Sequence, residues 1–185
     1  MKHIICAMVL GIIVLLHGMG DAVAEQASNQ VVDLGNTAIA AFGKDPVLVQ
    51  AVKKENAKAK TLEQIKAVDQ KWVATAGIAD FMKAVLENET AVYLKGIQKQ
   101  KAYYAEIFLM DNQGALVAST DKTSDYWQGD ETKFKHPFST GTVHVSEVEF
   151  DDSSQAYVVQ ISVPVKDGNA VIGAITFGLD LDKFE

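Results

Sequence analysis

The hydrophobic period of this chain changes near Tyr104, and that change restricts its fold more than any other feature of the sequence. From Ser28 to about Gln100 the apolar residues recur at the spacing of a helix with one buried face. Val31, Leu34, Ala38 and Ala41 form one stripe, and Val47, Leu48, Ala51 and Val52 resume it after Lys44-Asp45-Pro46. Asp45 followed by Pro46 marks a helix start, because proline in the first turn sacrifices no needed donor. Two helices and one kinked helix both fit this pattern. Thr61-Leu62-Glu63-Gln64 has the composition of a capping box, ahead of a stripe at Leu62, Ile65, Val68 and Trp72. Ile78, Phe81, Met82, Val85 and Leu86 form a third set after Gly77, and residues 88–101 are more weakly amphipathic. Packing in a core is the expected role of the Trp72 and Met82 stripes.

After Tyr104 the pattern is that of strands. Residues 105–111 and 115–120 are short β-prone runs joined by Asn112-Gln113-Gly114, a hairpin signal. Residues 142–150 alternate, with a shift near Ser146, and Asp151-Asp152-Ser153-Ser154 reads as a turn. Residues 156–165 and 170–181 are two further strands around the turn Lys166-Asp167-Gly168-Asn169. A helical half followed by five antiparallel strands defines an α+β domain. The expected division is 1–24, 25–103 for the helical part and 104–185 for the sheet.

The first segment has the layout of a secretory signal: a basic start, the apolar run Ile4 to Leu16, and Ala22-Val23-Ala24 before an expected cut after Ala24. The run is shorter than the roughly 20 residues of a spanning helix, which favours cleavage over a retained anchor. Cys6, the single cysteine, lies upstream of the cut, so the mature protein is expected to hold no disulfide or thiolate site. Its formal charge of -7 disfavours nucleic acid and anionic lipid as partners. Every cation is lysine or histidine, since the chain has no arginine.

The hairpin IFLMDNQGALVAST, the loop SDYWQGDETKF and the ending SVPVKDGNAVIGAITFGLDLDKF together resemble the extracytoplasmic Cache sensor domains, also called PAS-like PDC sensors. Pro164-Val165, Gly173 and Asp180-Leu181-Asp182 occupy the family's places for a strand ending in Pro-Val, a glycine-containing strand and an acidic-apolar close. The resemblance implies a PAS-like five-stranded sheet with the N-terminal helical region on one face. A small-molecule pocket is implied on the other face, closed by the connection between the second and third strands. Ser124 to Phe138 falls in that connection. The resemblance also implies an amino acid or small carboxylate as ligand. Members that bind amino acids commonly place an arginine here, so Lys133 is the substitute, a point charge in place of a fork.

The adjacent rings of Tyr126 and Trp127 in SDYWQGDE need a pocket to fill or a ligand to touch, since exposed aromatic surface has no benefit by itself. They are ligand-contact candidates; the structural alternative is that a ring pins the loop onto the fold. Gly129 is expected to make a turn that no larger residue accepts. Asp130 and Glu131 read as the N-terminus of a short helix. Lys133 and His136 are candidates for a ligand carboxylate, and His144 and Tyr157 for strand positions beneath the loop. Tyr157 shares its parity with Val159 and Ile161, which equally suits a face packed on helices.

Enzyme chemistry is weakly supported. Ser119-Thr120-Asp121-Lys122 matches Ser-x-x-Lys but sits at a strand end, and the remaining motifs of serine acyl-enzymes are missing. The two histidines beyond residue 24 do not complete a zinc set, and no phosphate-cradling loop occurs. The sequence therefore points to an exported, periplasmic sensor or binding protein without a cofactor. It would signal to a separate partner such as a membrane-bound sensor kinase or chemoreceptor, with a homodimer compatible. The alternative is a non-catalytic interaction protein that uses the same fold without a small ligand.

Overall fold

Residues 25–151 and 156–184 are described by the computed structural model. The predicted signal segment and most of the turn after Asp151 lie outside the described residues. Ser28 accepts the Val31 amide and opens α1 (Asn29–Leu34), which continues through a π turn at Gly35–Ile39 and a 3-10 stretch at Ala40–Lys44. Along this segment the buried residues are Val31, Gly35, Ile39 and Gly43, whereas Ala38 and Ala41 are exposed. The stripe expected from the sequence drifts because the Ala40 amide bonds back to the Gly35 carbonyl, five residues away, and lengthens the turn. The two glycines allow close approach to a later strand, Gly43 to its backbone and Gly35 to a side chain. A Cβ at Gly43 would sit 2.3 Å from the Pro164 carbonyl oxygen, and one at Gly35 would sit 3.1 Å from Ile161.

Asp45 accepts the amides of Val47 and Leu48 and starts α2 (Pro46–Asn56). Thr61 and Gln64 form the reciprocal capping box of α3 (Leu62–Ala74). Only Ile65 and Trp72 of the predicted α3 stripe are buried, while Leu62 and Val68 remain exposed. Beyond α3, Met82, Val85 and Leu86 pack inward around α4 (Lys83–Leu86), and Asn88 caps α5 (Glu89–Gln98).

The sheet contains β1 (Tyr104–Met110), β2 (Leu116–Ser119), β3 (His144–Val145), β4 (Glu149–Asp151), β5 (Ala156–Asp167) and β6 (Ala170–Asp180). It is antiparallel in the order β2-β1-β6-β5-β3, with β4 also on β5. The strand expected over residues 142–150 is thus split in two, giving six strands in place of five. At the break, Val148 donates to the Glu25 carbonyl (2.8 Å) and Gln26 bridges Glu147, so the N-terminal segment takes the bonds a continuous strand would use. The two predicted hairpin turns within the described residues hold: Gly114 (φ +82°) and Gly168 (φ +61°) supply their left-handed positions.

Both sheet faces are buried, which is why β1 reads as the continuous apolar run IFLM despite its antiparallel neighbours. Ile107, Leu109, Ile161, Val163, Ile175 and Phe177 meet Ile39, Leu48, Val52 and Leu94 of the helical half. On the opposite face, Phe108, Met110 and Ala174 meet Ile65, Trp72, Met82 and Tyr126, together with Phe134 of α6 (Thr132–Thr140). Each valine, leucine, isoleucine, phenylalanine or methionine among them contributes about 1.5–3 kcal/mol on burial.

Candidate ligand-binding site

The register of the three central strands produces a polarity gradient on the face away from α1 and α2. Met110, Ala174 and Pro164 form one cross-strand row, Phe108, Thr176 and Ser162 the next, and Glu106, Gly178 and Gln160 the third. The first row is apolar and covered by the second core. In the middle row Ser162 and Thr176 satisfy each other through a 2.8 Å hydroxyl pair. At the third row the cover ends and a cavity of about 510 Å³ opens, lined by Glu106, Gln160 and Gly178 on the floor, by Asp121 and Lys122, and by β4.

Gly178 makes room for Glu106, since a Cβ there would approach the Glu106 Cγ to 2.6 Å. Gln160 donates to one Glu106 oxygen at 3.2 Å. Burial pushes the Glu106 carboxyl above its ordinary value; Gln160 and Lys133 oppose that shift, and Asp151 and Asp121 add to it. The Lys122 ammonium is engaged elsewhere, donating to the Thr75 carbonyl at 2.7 Å. The cavity wall therefore presents an acidic field with a half-buried carboxylate at its floor, an environment that favours a cationic group.

Lys133 reaches this face from α6. Its Nζ lies 5.7 Å from the centre of the Phe108 ring and 2.9 Å from Glu131. Glu131 stands at the helix N-cap position as expected, but its side chain makes no capping bond and pairs with Lys133 instead. His136 on α6 and His144 on β3 face each other with ring centres 5.0 Å apart. His144 pairs in register with Ser162 of the middle row.

Tyr126 and Trp127 are placed apart from the cavity. Asp69 of α3 accepts both of their amides, at 2.9 and 3.0 Å. The Tyr126 hydroxyl accepts from Lys60 (2.8 Å), and its ring packs on Trp72 at 5.9 Å. The Lys60 ammonium stays protonated: burial opposes its charge, but Tyr126 and Glu55 outweigh that cost. Trp127 donates to the Gln113 carbonyl at 2.8 Å and lies under the Lys66 ammonium at 4.6 Å. Both rings thus fasten the loop to α3 and the β1–β2 hairpin. Gly129 is required by close approach rather than by a left-handed turn, as its Cβ would lie 2.3 Å from the Trp127 indole nitrogen. Tyr157 is half-exposed on the parity of Val159 and Ile161 and contacts Phe150 edge-on at 5.2 Å.

The Ser119 hydroxyl donates to the Asp121 carbonyl, so its bond is not with Lys122. Among the described residues no group of three or more histidines, cysteines or carboxylates is arranged to hold a metal ion. None of the helices in that region is long and apolar enough to cross a membrane. Sequence reasoning did not single out Glu106, Gln160 or Gly178. The available signal was parity: Glu106 shares the inward set of Phe108 and Met110, where a charge is unexpected.

No curated protein matches the chain. Among solved structures, the sensor domain of the V. cholerae histidine kinase DctB shares 18% identity at a TM-score of 0.45, covering 83% of this chain and 51% of its own. The ligand-binding domain of the Pseudomonas aeruginosa amino acid chemoreceptor PctC, solved with GABA, shares 10% at 0.43, with 80% and 62% covered. That of the Campylobacter jejuni chemoreceptor Tlp3, solved with 4-methylisoleucine, shares 14% at 0.43, with 74% and 55% covered. The chain thus spans between about half and three fifths of the length of these structures. The model of the methyl-accepting chemotaxis protein-like, first PDC sensor domain matches residues 78–185, more than half of the sequence and the whole of the sheet with its cavity, and the chain belongs to that family of sensor domains.

Proposed function

We propose that the protein is an extracytoplasmic sensor that takes a small ammonium-bearing ligand, an amino acid or amine, into the cavity above Glu106, Gly178 and Gln160. One observation carries this reading: a half-buried carboxylate at the floor of an acidic cavity, with a glycine opposite that makes room for it. A ligand ammonium would restore the solvation that Glu106 loses on folding. If the ligand also has a carboxylate, Lys133, whose charge already acts on Glu106, is the candidate partner, and it binds as a single point of charge. Binding favours one arrangement of β4 and α6 over others, and a membrane-bound sensor kinase or chemoreceptor reads that arrangement. The layout of residues 1–24 supports export, and a secreted protein that starts at Glu25 is the expected product.

The test is a thermal-shift and calorimetric panel of amino acids, amines and simple carboxylates. Ammonium-bearing compounds should stabilise the protein, by about 2.7 kcal/mol at a hundredfold excess over Kd. Stabilisation by carboxylates without an amine, and by no amine, overturns the reading.

A further inference from the structure

The sequence has four histidines, and the two within the described residues are in contact. They belong to different elements. His136 is at the middle of α6, the helix that carries Lys133, and His144 is in β3, the edge strand leading to the cavity wall at β4. Their ring centres are 5.0 Å apart with a 35° tilt, and the His136 Nε2 lies 3.3 Å from the Thr142 hydroxyl on the connection between the two elements. We propose that His136 and His144 form an acid-sensitive latch, which holds α6 against β3 while the rings are neutral and releases it when both are protonated.

The surroundings do not neutralise a second positive charge. From β5, Ser162 stands opposite His144 and is neutral, and Lys166 is bound to the Gly141 carbonyl at 2.8 Å. On α6, Lys133 is paired with Glu131, and Lys135 is exposed. Beyond β3, Glu147 accepts from Gln26. Burial and then His136 hold the His144 imidazole below its ordinary value, with no carboxylate acting the other way. The sign follows from that direction. The contact contributes its full stability above the ordinary histidine pKa of about 6.5 and loses it as pH falls from there through the lowered value.

The inference concerns the unliganded protein and goes beyond the ligand reading, so a failure of either leaves the other standing. The experiment is an NMR titration of both rings between pH 8 and 5, in the wild type and in His136→Gln, with hydrogen exchange followed over the same range. The wild-type His144 should titrate below the ordinary histidine value, and its midpoint should rise when His136 is replaced. Amides of α6 and β3, corrected for intrinsic rate, should exchange severalfold faster at pH 5 than at pH 7.5, while those of β1 and β6 do not. A His144 midpoint unmoved by His136→Gln overturns the latch. If that variant does not fold, the wild-type exchange decides: acid acceleration spread evenly over the sheet, or none at α6 and β3, overturns it.

Discussion

Glu106 works against the stability of the fold that contains it. Its carboxyl is raised above the ordinary 4.5 by burial, so ionisation costs more in the folded state than in the unfolded chain. Its contribution is therefore most favourable below that ordinary value and declines as pH rises from there through the raised value. Glu106→Gln should melt higher than the wild type at pH 7, with the gap closing toward pH 4 in a series of melts. The same substitution should weaken an ammonium ligand about tenfold to a hundredfold in calorimetry, the weight of a hydrogen bond to a charged group. Asp69 has the opposite character, a surface-helix carboxylate that accepts two consecutive loop amides. Asp69→Ala should cost about 1–3 kcal/mol in chemical denaturation, because it leaves those amides without a partner.

Among the elements, the connection from Ser124 to Phe138 divides into two parts with different duties. Its first part is a clasp, held by Asp69, Lys60 and the Gln113 carbonyl, and the close fit at Gly129 belongs to that clasp. Gly129→Ala should destabilise by about 1–3 kcal/mol through overpacking. Its second part, α6, lies across the sheet and brings Lys133 over Phe108. Gly178→Ala tests the cavity itself: a methyl group there forces Glu106 aside, so ligand affinity should fall in calorimetry well beyond any change in melting temperature. The helix starts at Asp45 and Thr61 and the hairpin turns were legible because each rests on a local hydrogen bond or a single backbone angle. The stripe of the first helical segment was not. Its buried positions include two glycines, Gly43 against the Pro164 backbone and Gly35 beneath the Ile161 side chain, and hydrophobic periodicity gives a glycine contact no weight.

For the whole molecule, charge separates along the chain in the same place as the hydrophobic period. Residues 25–103 contain 11 lysines and nine carboxylates, and residues 104–185 contain five lysines and 14 carboxylates. The sheet half that holds the cavity is thus strongly acidic, and its field should steer a cationic ligand inward. The association rate of an ammonium ligand should fall as ionic strength rises from 10 mM to 150 mM in stopped-flow measurements, since the screening length shortens from about 30 Å to about 8 Å. Dissociation should change little.

Local sequence was enough to establish the class of fold, the helix caps, the turns and the kinship to sensor domains, because each depends on the spacing of neighbouring residues. The location of the candidate site followed from how distant strands register. Glu106, Gly178 and Gln160 are far apart in the chain and meet in one cross-strand row. Tyr126 and Trp127, conspicuous in the sequence, turn toward α3 because Asp69 and Lys60 hold them there. A side chain's chemistry can be read from its own position, but its neighbours are assigned by packing, and in this protein packing placed the exposed acids around the cavity and the aromatic pair in the clasp.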